Sequence, residues 1–191
     1  KMPSPVGHAL GGLIFGWLAA RPSAVASPGD GGRGRLRNFV DATRGVAFHP
    51  WTIGFAALGA LADLDLLFGL HSRQTHSLGA IAIVAAVAAG WGGRLDLRRG
   101  LACGLAYGSH VLLDWMGSDT TPPIGIMALW PFSSGYLQSD FFVFDAIWRE
   151  YWRPGFWTHN TLAVAREIAL LGPVAAAVWW ARRFPSSPVR R

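Results

Sequence analysis

The chain has 191 residues, the size of one ordinary domain, and its composition excludes several classes of protein. Apolar residues make up 51% of it and charged residues only 15%, whereas an average soluble domain has roughly 25% charged residues. This balance excludes a disordered chain, and the single cysteine excludes an intrachain disulfide and a cysteine-based zinc site. The net charge of +6 is compatible with binding to nucleic acid, with binding to anionic lipid, and with the charge bias that orients a membrane protein. The positions of the arginines decide among these three explanations.

Five stretches of the chain are nearly free of charge and rich in Ala, Gly, Leu and Val. They are residues 5–20, 51–70, 77–93, 100–116 and 168–181. Each approaches the roughly 20 residues that a helix needs to cross a bilayer core, and small residues favour close helix packing in lipid. A soluble Ala-rich bundle would carry Lys and Glu on its outer faces, and 77–93 has neither. We therefore predict an all-α integral membrane helical bundle with about five transmembrane helices.

The basic residues predict the orientation of this bundle. Three connecting segments hold twelve of the 17 basic residues, namely 21–50, 94–99 and 182–191. If five helices cross, these segments lie on one side of the membrane, and the positive-inside rule places that side in the cytoplasm. The C-terminus is then cytoplasmic, and the N-terminus, the 71–76 turn and the segment 117–167 lie on the outer side.

The connecting segments differ in character. The segment 21–50 is rich in Gly and Arg and is predicted to be a flexible cytoplasmic loop. The segment 117–167 is too polar to span a membrane and too rich in Trp to be disordered, so we expect it at the level of the lipid headgroups. Residues 1–191 are predicted to form one membrane-embedded domain. No nucleic-acid partner is expected, because the arginines lie at helix ends without an aromatic stacking platform.

Ionisable residues in the apolar helices are the candidates for chemistry, because each costs about 2.5–3.5 kcal/mol to insert at a helix centre. Seven such residues fall at the outer ends of the predicted helices or in the turn that joins two of them. They are His8, Asp63, Asp65, His71, His76, His110 and Asp114. Because they would all lie near the same membrane surface, the pattern predicts one site on the outer side.

The spacing of these residues favours a metal ion. His110 and Asp114 are four residues apart, so both project from one helix face and can bind one ion. Asp63 and Asp65 diverge by about 200° on an α-helix, so both can join only if the helix unwinds or two metals are present. Imidazole and carboxylate ligands suit Zn²⁺, Mn²⁺ or Fe²⁺.

Neighbouring residues are assigned further roles. Asp63 or Asp65 would orient or deprotonate a water molecule, and Arg73 would bind a phosphate through two parallel hydrogen bonds. Glu167 or His159, on the outer side near the last helix, could complete a second metal. The predicted metal ligands are His8, Asp65, His71, His76, His110, Asp114 and Glu167.

Five motifs together resemble a family, the YdjM-like inner-membrane proteins. They are MPSPVGHALGG from residue 2, ALADLDLLF from 60, HSRQTHSLG from 71, GSHVLLDWMGSD from 108 and LWPF from 129. They occur in this order over residues 2–132, about two-thirds of the chain. The resemblance implies a metal-dependent hydrolase in the inner (cytoplasmic) membrane, with its site toward the periplasm.

That family is in turn distantly similar to the zinc-dependent phospholipase C and single-strand nuclease superfamily. There, a helical bundle holds three zinc ions through an HxxxD pair, an Asp about a dozen residues ahead of a His, and a later HxxxE. The resemblance implies that His110 with Asp114 matches the first feature and that one to three zinc ions are bound. This sequence departs at the last feature, since Ala163 follows His159 by four residues and Glu167 is the available substitute.

The residues and the resemblance together lead us to expect a membrane-bound zinc hydrolase that cleaves phosphoester bonds in a membrane lipid or lipid phosphate. Two alternatives stay open. A metal-ion transporter could use the same His and Asp residues, and a non-enzymatic anchor could act through the arginine-rich segment 21–50. The sequence leaves the oligomeric state open.

Overall fold

A computed structural model describes residues 3–20, 50–68, 71–119 and 122–183. Within these ranges the regular elements are five α-helices and one 3₁₀-helix, with no β-strand. They are α1 (Pro5–Ala19), α2 (Pro50–Ala60), the 3₁₀-helix Leu61–Phe68, α3 (Leu78–Gly90), α4 (Leu97–Trp115) and α5 (Phe156–Arg183). The prediction of an all-α fold is confirmed. The predicted flexible loop at 21–50 lies outside the described residues except for Pro50.

Short polar side chains begin three of the helices. Ser4 caps α1 and its hydroxyl accepts from the backbone N–H of Gly7, while proline opens the first turn. Ser77 caps α3 in the same way, and the Asp96 carboxylate accepts from the N–H of Arg99 at the start of α4. Such caps satisfy backbone donors that a helix start leaves free. The two serines therefore fix where the segments next to His8 and His76 become helical.

Helix α4 is central, because α1, α2 and α3 all pack against it, and α5 packs against α1. The interfaces are built from small residues. A Cβ atom at Gly59 would lie 2.2 Å from the backbone oxygen of His8, and one at Gly104 would lie 2.8 Å from the Cβ of Ala85. Glycine thus lets α2 approach α1, and α4 approach α3, at the short distances typical of helix packing in membranes.

The prediction of five membrane-spanning helices is wrong in number. In the described part of the chain, two stretches are long and apolar enough to cross, Trp51–Phe68 and Phe156–Arg182. Only 22% and 17% of the residues in their apolar spans are buried inside the fold, so most of these residues are at least partly exposed. Helices α1 and α3 have 15 and 13 residues, or about 22 and 20 Å at 1.5 Å per residue, which is less than the roughly 30 Å bilayer core.

Three arginines of the described helices, Arg98, Arg99 and Arg182, lie together at one end of the bundle. Arg98, at the start of α4, donates to the carbonyl of Ala19, and Arg182, at the end of α5, donates to Ala20. Arg99 donates to Ala88 near the end of α3, at 2.6 Å. These contacts cap the C-terminal carbonyls of α1 and α3. The His8 end of α1 and the His110 end of α4 are the opposite ends of the same helices, so these three arginines lie away from His8 and His110, as the sequence predicts.

The irregular segment, residues 117–119 and 122–155, folds over the histidine end of the bundle. Ala128 accepts from the N–H of Leu78 at the start of α3, and Ser139 donates to Trp115 at the end of α4. Helix α5 begins at Phe156, twelve residues before the predicted start of the last span. The first turns of this helix contain polar residues, so the apolar run in the sequence begins later than the helix does. One of these polar residues, Asn160, exchanges two hydrogen bonds with the backbone of Trp148.

Candidate metal centre

Three histidines and one aspartate meet at the buried histidine end of the bundle. The Nε2 atoms of His76 and His110 lie 3.1 Å apart, and they are 3.1 and 3.0 Å from Oδ2 of Asp114. The Nε2 atom of His8 lies 3.2 Å from the other oxygen, Oδ1. All three histidines are fully buried and Asp114 is nearly so. Three chain segments that are more than 30 positions apart in sequence thus converge on one small volume, and they carry His8, His76 and the pair His110–Asp114.

Local structure explains this convergence. His110 and Asp114 share a face of the last turn of α4, as their spacing predicts. His8 lies one turn after the Ser4 cap of α1, and its ring stacks on that of His110 with the centroids 3.7 Å apart. His76 is placed by the tight turn at 71–77, which includes Ser72 at φ 66°.

Hydrogen bonds to the outer nitrogens set the orientation of two of these rings. Nδ1 of His110 donates to the carbonyl of Gly59 at 2.7 Å. Nδ1 of His76 lies 3.2 Å from Oδ2 of Asp65 and 3.0 Å from the Thr75 hydroxyl. In the neutral form of each ring, these partners keep the proton on Nδ1 and turn the lone pair of Nε2 toward Asp114. Outer partners of this kind orient the histidine ligands of metal sites.

The unsatisfied atoms at the centre test whether a metal ion fits. Among the described residues, both ring nitrogens of His8 and both oxygens of Asp114 are buried without a hydrogen-bond partner. Buried polar atoms are normally paired, so a group that fills this need is expected. Zinc–nitrogen bonds of about 2.0–2.1 Å in tetrahedral geometry would hold ligand atoms about 3.3 Å apart. The four separations given above, 3.0–3.2 Å, are close to that value. Ligand atoms of His8, His110 and Asp114 all lie within 4.8 Å of one another, and His76 adjoins them, so these residues could hold a divalent cation.

Asp63 belongs to a second set of potential ligands that adjoins this group. Its oxygens are 3.7 Å from Nε2 of His110 and 4.0 Å from Nε2 of His8. They are also 3.9 Å from Nδ1 of His71, and Asp63, His71 and His76 form the second set. Asp63 is the partly exposed acid of the centre, so it is the carboxylate that solvent can reach.

Asp65 has a different environment. Its carboxylate contacts Nδ1 of His71 at 2.9 Å, the Thr75 hydroxyl at 2.5 Å and Nδ1 of His76. These donors occupy both oxygens, so in this arrangement Asp65 orients two histidines. On an α-helix the directions of Asp63 and Asp65 differ by about 200°, which is the same as 160° measured the other way round. The angle is smaller here because this segment is a 3₁₀-helix. Residues two apart then point about 120° apart, which brings both toward the histidines.

The remaining predicted site residues lie elsewhere. Glu167 is fully buried, but its oxygens accept from the backbone N–H of Ser4 at 2.7 Å and from the Ser4 hydroxyl. His159 stacks on Trp148 and contacts the carbonyl of Ala146. Arg73 is exposed in the 71–77 turn. The structure therefore brings His8, Asp63, Asp65, His71, His76, His110 and Asp114 together, and it leaves Glu167, His159 and Arg73 outside the two sets.

Some contributing groups gave no usable signal in the sequence. The Gly59 carbonyl is a backbone group and no residue type reveals it. Thr75 stands within a recognised motif, but its hydroxyl bonds depend on the turn, and its own carbonyl accepts from the Tyr107 hydroxyl at 2.6 Å. Arg149, whose Nη2 lies 3.3 Å from Nε2 of His71, comes from the irregular segment whose path could not be predicted.

The electrostatics of the centre favour a positive charge on it. Burial alone would lower the pKa of His76, but the carboxylates of Asp114 and Asp65 outweigh burial and raise this pKa to about 9. At neutral pH without a cation, His76 therefore carries a second proton among the carboxylates. A metal ion would replace this proton with a larger positive charge.

Comparison with known proteins supports a family assignment. No curated protein and no solved structure matches the chain. The family model described as YdjM inner membrane protein matches residues 2–184, which extends the resemblance beyond residue 132 to nearly the whole chain. The described helices carry a buried His and Asp centre at one end of an apolar bundle. The chain that forms this centre belongs to the YdjM inner membrane protein family.

Proposed function

We propose that this protein is a membrane-bound, metal-dependent hydrolase that cleaves phosphoester bonds in lipid-like substrates. The observation that carries the proposal is the buried group of His8, His76, His110 and Asp114, in which four polar atoms have no hydrogen-bond partner. Leaving such atoms unpaired costs about 1–3 kcal/mol each, and a proton on Nε2 of His76 would satisfy only one of them, Oδ2 of Asp114. A fold that bears this cost where three chain segments meet is better explained by a bound cation than by packing.

The donor set indicates which ions fit. Three imidazole nitrogens and a carboxylate suit Zn²⁺, and they also suit Mn²⁺ or Fe²⁺. His8, His76, His110 and Asp114 would hold the first ion. When bound, such an ion lowers the pKa of a coordinated water toward 7 and polarises a phosphoryl oxygen.

The other side chains of the centre have separate tasks in this proposal. Asp63 is partly exposed and faces both ligand sets, so its carboxylate can accept a proton from the attacking water. Asp65 holds the rings of His71 and His76 in place through the three contacts described above. The reaction consumes one water and breaks one P–O bond, and the leaving oxygen takes up a proton.

The surroundings of the centre favour an amphiphilic substrate. The irregular segment that covers the histidine end exposes large aromatic side chains. They include Phe132, Phe141, Phe142, Tyr151, Trp152 and, at the start of α5, Trp157. Aromatic rings of this kind concentrate at the membrane–water interface. A centre at this depth would meet lipid headgroups, in keeping with membership of an inner membrane protein family.

The transport alternative receives less support from the fold. Carriers hold their substrates near the bilayer midplane, commonly at breaks in spanning helices. Here the ligands lie at one end of the bundle, at the start of α1 and the end of α4. The anchor alternative depends on residues 21–50, nearly all of which lie outside the described part of the chain.

The test is hydrolysis by the purified full chain in detergent, with a short-chain phosphatidic acid and a short-chain phosphatidylcholine as substrates. We expect release of phosphate or of the phospho-headgroup that a chelator abolishes and zinc restores. His110→Ala and Asp114→Ala should each lose at least about 100-fold in rate, because several kcal/mol of transition-state stabilisation disappears. The control Asp140→Asn changes an exposed acid of the irregular segment and should keep full activity. Hydrolysis that survives metal removal would refute the proposal.

A further inference from the structure

An arginine of the irregular segment reaches the edge of the candidate metal centre. Nη2 of Arg149 lies 3.3 Å from Nε2 of His71. A guanidinium group can only donate, so Nε2 of His71 must be unprotonated and its proton must lie on Nδ1, which contacts Asp65 at 2.9 Å. Arg149, His71 and Asp65 thus form a hydrogen-bonded chain from the protein surface to the buried carboxylates.

The charge of the centre requires a cation at this point if the substrate is an anion. Asp63, Asp65 and Asp114 contribute three negative charges, and one divalent ion leaves a net charge of about −1. A phosphate would be repelled by that charge. The Arg149 guanidinium is a permanent cation on the exposed side of His71, and its neutral imidazole partner does not neutralise it.

Other arginines have contacts that commit them elsewhere. Arg166 pairs with Asp145 at 2.9 Å, and the guanidinium of Arg153 lies 3.8 Å from the centre of the Trp148 ring. Arg98, Arg99 and Arg182 bind backbone carbonyls at the opposite end of the bundle. Among the described residues, Arg149 is therefore the arginine whose exposed side chain also contacts a side chain of the centre.

We propose that Arg149 binds the phosphate group of the substrate at the edge of the candidate metal centre, in the role that the sequence suggested for Arg73. This inference rests on the proposed function and specifies its substrate as a phosphate-bearing anion. The fork of the guanidinium matches two phosphate oxygens. Tyr151 and Trp152, which follow closely in the chain, are more than 70% exposed and offer an apolar surface for an acyl chain, so a lipid phosphate is favoured over free phosphate.

The test is binding of inorganic phosphate to the metal-loaded full chain in detergent, measured by calorimetry. Arg149→Ala should bind phosphate about 10- to 100-fold more weakly, because one charge-assisted contact is lost, while its metal-to-protein ratio stays at the wild-type value. Arg149→Lys should fall between the two, since an ammonium keeps the charge without the fork. Arg166→Ala is the matched control and should bind as the wild type does.

A second arm distinguishes a lipid from free phosphate. Dioctanoyl phosphatidic acid replaces inorganic phosphate in the same titration, with Trp152→Ala as the added variant. We expect Trp152→Ala to weaken binding of the lipid and to leave binding of inorganic phosphate unchanged. Equal binding of both probes by the wild type and by Trp152→Ala would overturn the lipid part of the inference.

The results separate this inference from the proposed function. If Arg149→Ala binds phosphate as tightly as the wild type at equal metal content, or if Arg73→Ala alone loses the binding, the Arg149 site is refuted. Hydrolysis can then still stand. If phosphate binding depends on Arg149 but no phosphoester is cleaved, the anion site is supported and the hydrolase proposal is refuted.

Discussion

His76 and His110 face each other through their Nε2 atoms at 3.1 Å, although 34 residues separate them in the chain. The outer nitrogen of His110 is held by the Gly59 carbonyl and that of His76 by Asp65 and Thr75. With both rings neutral, two lone pairs would point at one another and at the Asp114 carboxylate. A proton or a metal ion between them removes this repulsion, and the unpartnered atoms of His8 and Asp114 indicate the metal ion.

Asp65→Asn should weaken zinc binding without removing a predicted ligand of the first ion. The amide accepts hydrogen bonds less well than the carboxylate, so the rings of His71 and His76 lose their orientation. Losing such an outer partner typically costs about 10- to 100-fold in metal affinity. Competition with a chelator of known affinity measures the effect. Asp145→Asn, an exposed acid paired with Arg166, is the control, and equal affinities for the two variants would contradict the role of Asp65.

Gly59→Ala should both destabilise the protein and reduce its metal content. The new Cβ would lie 2.2 Å from the carbonyl oxygen of His8, so α1 and α2 must separate, at a cost of about 1–3 kcal/mol. Gly54, on the same helix, is the matched control because a Cβ there meets nothing within 4 Å. Gly54→Ala should stabilise the helix by about 0.5–1 kcal/mol. Unfolding in detergent measures both, and similar stabilities would show that the close approach at Gly59 is wrong.

Glu167 is expected to act through Ser4 and the start of α1. Glu167→Ala leaves the N–H and hydroxyl of a buried serine without an acceptor, which should cost about 1–3 kcal/mol in the free energy of unfolding of the metal-free protein. Glu167→Gln keeps an acceptor oxygen and should lose less. If Glu167 is instead a metal ligand, as its sequence position suggested, both variants should lose zinc while the metal-free stability stays unchanged.

Metal binding should release a proton from His76. Its pKa of about 9 means that the metal-free protein carries this proton at neutral pH, and zinc must displace it. Apparent zinc affinity should therefore rise up to about tenfold per pH unit from neutral pH and level off above the pKa. In the metal-free protein, the stability gained from protonated His76 is full below pH 6.5 and is lost as the pH rises through about 9. Calorimetry in buffers of different ionisation enthalpy counts the proton, and buffer-independent heats at neutral pH would contradict the assignment.

The sequence predicted most of the site because its residues lie at helix ends, where short spacings translate directly into geometry. The four-residue spacing of His110 and Asp114 needs only one helical turn to become a pair. The concentration of arginines in 21–50, 94–99 and 182–191 placed His8 and His76 together at the other end of the helices before any contact was known. These inferences hold because they depend on local helix geometry and on which end of a helix carries each residue.

The rest depends on contacts that spacing does not encode. The roles of Asp63 and Asp65 differ because the helix tightens into a 3₁₀-helix at Leu61–Phe68. The sequence ALADLDLLF does not predict that change. Arg149 reaches His71 only because the irregular segment folds back over the bundle. The number of spanning helices was overestimated because an apolar run such as 77–93 does not reveal that its helix ends at Gly90.

Elemental analysis of the purified full chain decides whether the centre binds an ion, which the proposals for hydrolysis and for phosphate binding both assume. We expect about one or two zinc, manganese or iron ions per chain in the wild type. We expect an almost complete loss in a folded Asp114→Ala variant and an unchanged ratio in Asp140→Asn. A folded wild-type protein that takes up no divalent ion after incubation with each metal, or an Asp114→Ala variant with the same metal content, would contradict these expectations.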